Sequence, residues 1–175
     1  ALLMTVVATL FRKYFENWTY KNKGTDLTSL VCTINDFIDG LGIKGKFATI
    51  IFALIDTKTS DVYLCNAGDN IVHIYDSNQK KQKVLTLTET PAAGALPTFM
   101  VEMKGGFKLE KTHLNKGDVM FLYTDGIEEA TRKFRDSEFN VIKCQHEGLK
   151  EGDNHENHKV GQTTEQMEPE RVNAI

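Results

Sequence analysis

The sequence predicts an α+β fold, with helices flanking antiparallel β-sheets, and three observations lead there. Apolar residues recur at three- and four-residue steps through the first forty positions. The period then shortens, and apolar runs alternate with polar turns at short, regular spacing. Helical patterns do not alternate with those runs, so βαβ units and a parallel sheet are disfavoured.

The first helix follows from Leu2, Leu3, Val6, Val7, Leu10, Phe11, Tyr14, Phe15 and Trp18, which share one helical face. The polar run Thr19–Thr25, with Gly24, ends it. Asp26 is the expected N-cap of a second helix, where Leu27, Leu30, Val31, Ile34, Phe37, Ile38 and Leu41 repeat the pattern. Gly40 and Gly42 stop it. Two amphipathic helices joined by a short polar loop are expected to lie antiparallel on one support.

Phe47–Ile55 is nearly unbroken in apolar, β-branched and aromatic residues, which predicts a strand covered on both faces. Asp56–Asp61 is a turn, Val62–Asn66 the partner strand, and Ala67-Gly68-Asp69-Asn70 a second turn. Strands follow at Ile71–Tyr75 and Val84–Leu87, separated by the turn Asp76–Gln82. A loop through Pro91, Gly94 and Pro97 leads to strands near Phe107–Thr112 and Val119–Tyr123. Residues 145–166 are polar and charged with almost nothing apolar, so a disordered insertion is expected over 140–166. Pro169 with Glu170 then resembles the first turn of another helix. Helical patterns running through both ends lead us to expect that the domain continues beyond them.

Composition narrows the function. With 175 residues, 41% of them hydrophobic, the chain can bury one sizeable core. A net charge of −3, without a basic stripe, argues against nucleic acid. The longest apolar run, Ala48–Ile55, is too short to span a bilayer, so no membrane contact is expected. Three cysteines without CxxC spacing are read as free thiols, which favours the cytoplasm.

Two motifs are set aside. Gly40-Leu41-Gly42-Ile43-Lys44-Gly45 spells G-x-G-x-x-G. That motif binds phosphate when a strand delivers its glycines to a helix N-terminus, and here a helix ends where a strand begins. Cys144, His146, His155 and His158 form a loose cluster in a segment that lacks the framework to fix zinc geometry. His73 and His113 sit in strand-like contexts and are read as structural.

The informative stretch is Gly117-Asp118-Val119-Met120-Phe121-Leu122-Tyr123-Thr124-Asp125-Gly126-Ile127-Glu128-Glu129-Ala130. A hydrophobic strand is expected to deliver Asp125 at its end, with Gly126 letting the backbone turn sharply. A rigid carboxylate there suits a hard cation such as Mg²⁺ or Mn²⁺, although an ordinary polar turn explains the same residues equally well.

This stretch resembles the G-D-x-x-x-x-Y-[TS]-D-G-[VI]-x-E-A segment of the bacterial phosphatases typified by stage II sporulation protein E and RsbU, within the protein phosphatase 2C superfamily. Phe47–Asp56 with Asn66-Ala67-Gly68 is similar to the family's F-x-T strand and N-A-G-H turn. Ala1-Leu2-Leu3-Met4 resembles the helix after its D-x-S-G-H-G-x-x-A motif, and Glu168–Val172 its closing helix start. The resemblance implies an incomplete α-β-β-α sandwich, a single partial domain over residues 1–175. It implies hydrolysis of phosphoserine or phosphothreonine in bacterial signalling by water activated between two Mn²⁺ or Mg²⁺ ions. Asp125 would be a metal ligand, and Glu129 would orient the loop or a metal-bound water. The substrate would be a phosphorylated protein, such as an anti-sigma-factor antagonist, and a sensor domain would precede.

Two departures qualify this expectation. Asp69 stands where the family's turn has His, and the family's other acidic elements fall outside the chain. The chain alone is therefore expected to be inactive and to self-associate. The alternative is a catalytically silent regulatory or partner-binding module.

Overall fold

The computed structural model describes residues 2–16, 25–145 and 160–167. The chain forms two compact units, Ala1–Phe121 and Leu122–Ile175.

In the first unit, helix α1 spans Leu2–Phe15 and α2 spans Thr25–Gly40. The expected loop between them and Trp18 lie outside the described residues. Helix α2 begins one residue before the expected cap Asp26. Leu27, Leu30, Val31, Ile34 and Ile38 are buried, which is the stripe its periodicity requires. They share a core with Val7 of α1 and with Ile50, Cys65, Ala67, Ala93, Val101 and Phe107. Phe11 of α1 stacks on Phe52, with centroids 5.6 Å apart. Burial pushes the Cys65 thiol up to about 12, and it also raises that of Cys32. Cys32 and Cys65 are free thiols.

The strands are β1 (Ile50–Asp56), β2 (Asp61–Ala67), β3 (Ile71–Asp76), β4 (Lys81–Thr86), β5 (Leu109–His113) and β6 (Val119–Phe121). They form two antiparallel sheets, ordered β1-β2-β5 and β4-β3-β6. The hairpins β1–β2 and β3–β4 turn alike. Asp56 accepts the N–H groups of Lys58 and Thr59, and Asp76 those of Asn78 and Gln79. Four residues after each aspartate, Ser60 and Lys80 take φ values of 59° and 51°.

Two expectations need correction. β1 is not covered on both faces: within it Ala53 and Ile55 are exposed, Ile55 at 47%. An apolar run reports hydrophobicity, not the number of layers packed on it, and β1 lies at a sheet edge. The loop after β4 contains a six-residue helix, α3 (Thr98–Met103), entered from Pro97. It buries Val101 and leaves Phe99 and Met103 exposed, so no amphipathic pattern announces it.

Asp118 closes the second sheet. Its carboxylate accepts from the Ser77 N–H (2.9 Å) and hydroxyl (3.1 Å), and from the Asn115 N–H (2.8 Å) and amide (3.2 Å). These bonds, led by that from the Ser77 backbone, hold Asp118 below the usual carboxylate range. A depressed folded pKa stabilises the fold above the unfolded value and stops doing so as pH falls through the folded one. Asp118→Ala should therefore lower Tm at pH 7, and the gap to the parent should close as pH falls below about 4. Thermal unfolding at both pH values checks this, and a gap unchanged by acid would refute it.

The second unit holds helix α4 (Asp125–Glu128), β7 (Thr131–Lys133) and β8 (Thr164–Gln166), with β7 antiparallel to β8. Arg132 of β7 pairs with Glu165 of β8, whose side chain is fully buried. The polar stretch expected to be disordered is thus ordered at its ends. The Cys144 N–H donates to Gln162 O (2.8 Å) and that of Gly161 to Cys144 O (2.9 Å). Backbone pairing needs no apolar side chain, so composition does not reveal it. Residues 146–159, with His146, His155 and His158, lie outside the described residues, as do residues 168–175.

Candidate functional site

Asp125 opens α4 rather than ending a strand, because β6 stops at Phe121. Thr124 enters the turn in an extended conformation (φ −98°, ψ 161°). Ile127 N–H then donates to Thr124 O (3.0 Å), and Glu129 N–H to Asp125 O (2.8 Å). Ala130 anchors the exit by accepting the Met167 N–H (2.8 Å). Gly126 lies inside α4 and is not among the positive-φ glycines, so its conformational freedom is not used.

Asp125 and Glu129 are both exposed and stand four residues apart on this one turn. That spacing places two carboxylates on one side of a helical turn. Two such groups do not fill the coordination sphere of a hard divalent cation, which takes six or more oxygens. Among the described residues no group of three or more His, Cys, Asp or Glu is placed to hold a metal. The described residues therefore do not form the two-metal centre that the resemblance implies.

In the first unit, the Asn66-Ala67-Gly68-Asp69 turn is built into a polar frame. Asn66 is buried, donates to Thr88 O (3.2 Å), and accepts from the Thr90 hydroxyl at its carbonyl (2.9 Å). Gly68, at φ +86°, donates to Thr90 O, and a Cβ there would lie 2.9 Å from Ala92. Asp69 accepts from its neighbour Ile71 at 3.5 Å, a local turn contact.

Sequence reasoning missed Asn35. It is fully buried, accepts the Gly94 N–H (2.7 Å), and donates to Leu96 O (3.1 Å) and the Thr98 hydroxyl (2.8 Å). Asn35 and Asn66 thus fix both ends of the loop 88–98. The available signal was an amide beside the apolar stripe of α2, where a buried polar group needs partners. His73 is buried against Gln82, and His113 contacts Asp61 at 3.3 Å. Gly40–Lys46 is a helix stop, with Gly42 donating to Asp39 O (3.0 Å), and no helix begins there.

Residues 1–166 match the family described as Stage II sporulation protein E (SpoIIE). Protein IcfG of Synechocystis sp. is 29% identical over 97 residues, which is 55% of this chain and 14% of IcfG. The structure of the RsbU and RsbW domains of Rv1364c from Mycobacterium tuberculosis aligns at a TM-score of 0.56 and 20% identity. That alignment covers 79% of this chain and 34% of the other. The phosphatase domain of SpoIIE from Bacillus subtilis aligns at a TM-score of 0.38 and 19% identity, covering 70% of this chain and 47% of that one. The chain thus spans well under two thirds of these proteins. The likeness to the RsbU and RsbW domains supports an α+β fold of the protein phosphatase 2C type. By the match over residues 1–166, the chain belongs to the Stage II sporulation protein E (SpoIIE) family.

Proposed function

We propose that this chain is part of a Mn²⁺- or Mg²⁺-dependent serine/threonine protein phosphatase domain in bacterial signalling, and that by itself it is inactive. The family match carries the reading, because it spans the Tyr123–Ala130 stretch with Asp125 and Glu129. Asp125 is the proposed metal ligand, and Glu129 the group that orients the loop or a bound water. The proposed inactivity is supported by the donor count, since two ions need several acidic ligands and no group of three or more His, Cys, Asp or Glu is placed to hold a metal among the described residues. The proposed substrate is a phosphorylated protein such as an anti-sigma-factor antagonist, and the proposed location is the cytoplasm, behind a sensor domain.

Hydrolysis of p-nitrophenyl phosphate with Mn²⁺ tests the inactivity. We expect no turnover above buffer, and metal-dependent turnover by the 175-residue chain would refute it. The second reading, a silent partner-binding module, is favoured by Asp69 at the position of the family's His.

We also propose that the chain self-associates. Among the described strands β1 has one hydrogen-bonded neighbour, and Phe47 and Ile55 stand exposed on or beside it. Sedimentation velocity should show association rising with concentration; a monomer at the highest concentration would count against it.

A further inference from the structure

Strand β7 runs on into a tight hairpin. Arg135 bridges Val141, and the Ile142 N–H donates to Phe134 O (3.0 Å). The turn, residues 136–140, is braced from within. Asp136 N–H donates to Asn140 O (3.1 Å), and Phe139 N–H donates to Asp136 O (3.0 Å). The Asp136 carboxylate accepts the N–H groups of Glu138 and Asn140, both at 2.9 Å. The Arg135 guanidinium donates to Phe139 O.

At the tip Phe139 has φ +65°, in the left-handed region that L residues avoid because Cβ approaches the backbone. Glycine and asparagine are the usual occupants of such a position. The comparable positions in the other two hairpins hold Ser60 and Lys80, neither of them aromatic. Packing gives no return for the strain, since Phe139 is 76% exposed. A braced turn that holds a large aromatic ring in water, in a conformation the residue disfavours, is the kind of local strain that clusters at functional sites.

Strand alternation identifies what lies around it. Arg132, Phe134 and Cys144 fall on one side, where Arg132 meets buried Glu165 and lies 5.7 Å from the Phe134 ring centre, and Cys144 is buried. The other side carries Lys133, Arg135, Val141 and Lys143, all exposed. Of the acidic groups nearby, Asp136 is committed to the turn and Glu138 is exposed at the tip.

We propose that this face is a protein-docking surface, with Phe139 as the anchor for a partner segment that combines acidic with apolar side chains. The three exposed cations set the charge of the partner. A turn whose backbone is braced before binding loses little backbone entropy on docking, and aromatic and arginine side chains dominate binding energy at interfaces. The surface does not depend on whether the chain hydrolyses phosphoesters.

The test uses the whole 175-residue chain, immobilised and panned against short random peptides displayed on phage. Enriched peptides should combine Asp or Glu with an aromatic or aliphatic residue. Synthetic copies should bind at least about tenfold more weakly to Phe139→Gly, and to Lys133→Glu with Lys143→Glu. Phe139→Gly should keep or raise Tm, because glycine accepts the left-handed φ, and Phe139→Asn should behave alike. Four results would overturn the proposal. They are no enrichment, binding that survives Phe139→Gly, a Tm lowered by Phe139→Gly, or Phe139-dependent binding to phosphatidylglycerol vesicles in place of peptides.

Discussion

Gly94→Ala is expected to destabilise the first unit by about 3 kcal/mol, combining roughly 1–2 for a left-handed residue with roughly 1–3 for overpacking. Gly94 has φ +84°, and a Cβ there would sit 2.1 Å from Ile38 Cγ2 and 2.7 Å from Ile38 Cβ. Ile38 is 2% exposed in the core stripe of α2, so it has little room to yield. The Gly94 N–H also donates to buried Asn35, so shifting the backbone to relieve the clash would break that bond. Gly106→Ala is the matched control: φ is +73°, and nothing lies within 4 Å of the added carbon. It should lose only the backbone part, about 1–2 kcal/mol. Urea unfolding of the two variants separates the contributions, and equal losses would show that the contact with Ile38 is immaterial.

Asp125→Asn should separate function from folding. In a longer protein that contains this chain and removes phosphate from phosphoserine or phosphothreonine with Mn²⁺, turnover should fall on the order of a hundredfold or more, about 2.7 kcal/mol of barrier. The amide keeps the shape of the carboxylate but loses the charge a hard cation requires. Stability should change by less than about 1 kcal/mol, because Asp125 is exposed at the start of a single helical turn. Full Mn²⁺-dependent turnover after the Asp125→Asn change would remove Asp125 from the proposed site. A large loss of Tm would make its role structural.

Much of the fold was legible because its signals are local. Helix α2 shows its stripe in five buried residues at helical spacing, and the hairpins at Asp56 and Asp76 are closed by the aspartates that mark turns in sequence. Where the signal was short or depended on distant partners, it failed. Helix α3 has six residues and one buried side chain, too few to show a period. Strand β7 has three exposed residues, and its partner β8 is distant in the chain. Gly126 shows how a residue type can mislead: its freedom is visible in sequence, but whether it is used depends on φ.

The candidate site divides in the same way. Asp125 and Glu129 were found in the sequence because the Tyr123–Ala130 stretch carries the family's pattern. That α4 starts at Asp125, and that the described residues offer no third metal-binding group beside it, only the structure decided. A one-dimensional pattern records which groups exist, but not the directions in which the backbone points them.

By itself, then, the sequence determined the α+β class, the two amphipathic helices, the hairpin order and the family. Periodicity, turn chemistry and motif are written in neighbouring residues. The tertiary structure alone decided that Asn35 holds the loop 88–98, that Gly94 lies against Ile38, and that Phe139 stands exposed in a left-handed turn. Each of these depends on contacts between distant residues, or on a backbone angle that the surrounding hydrogen bonds impose.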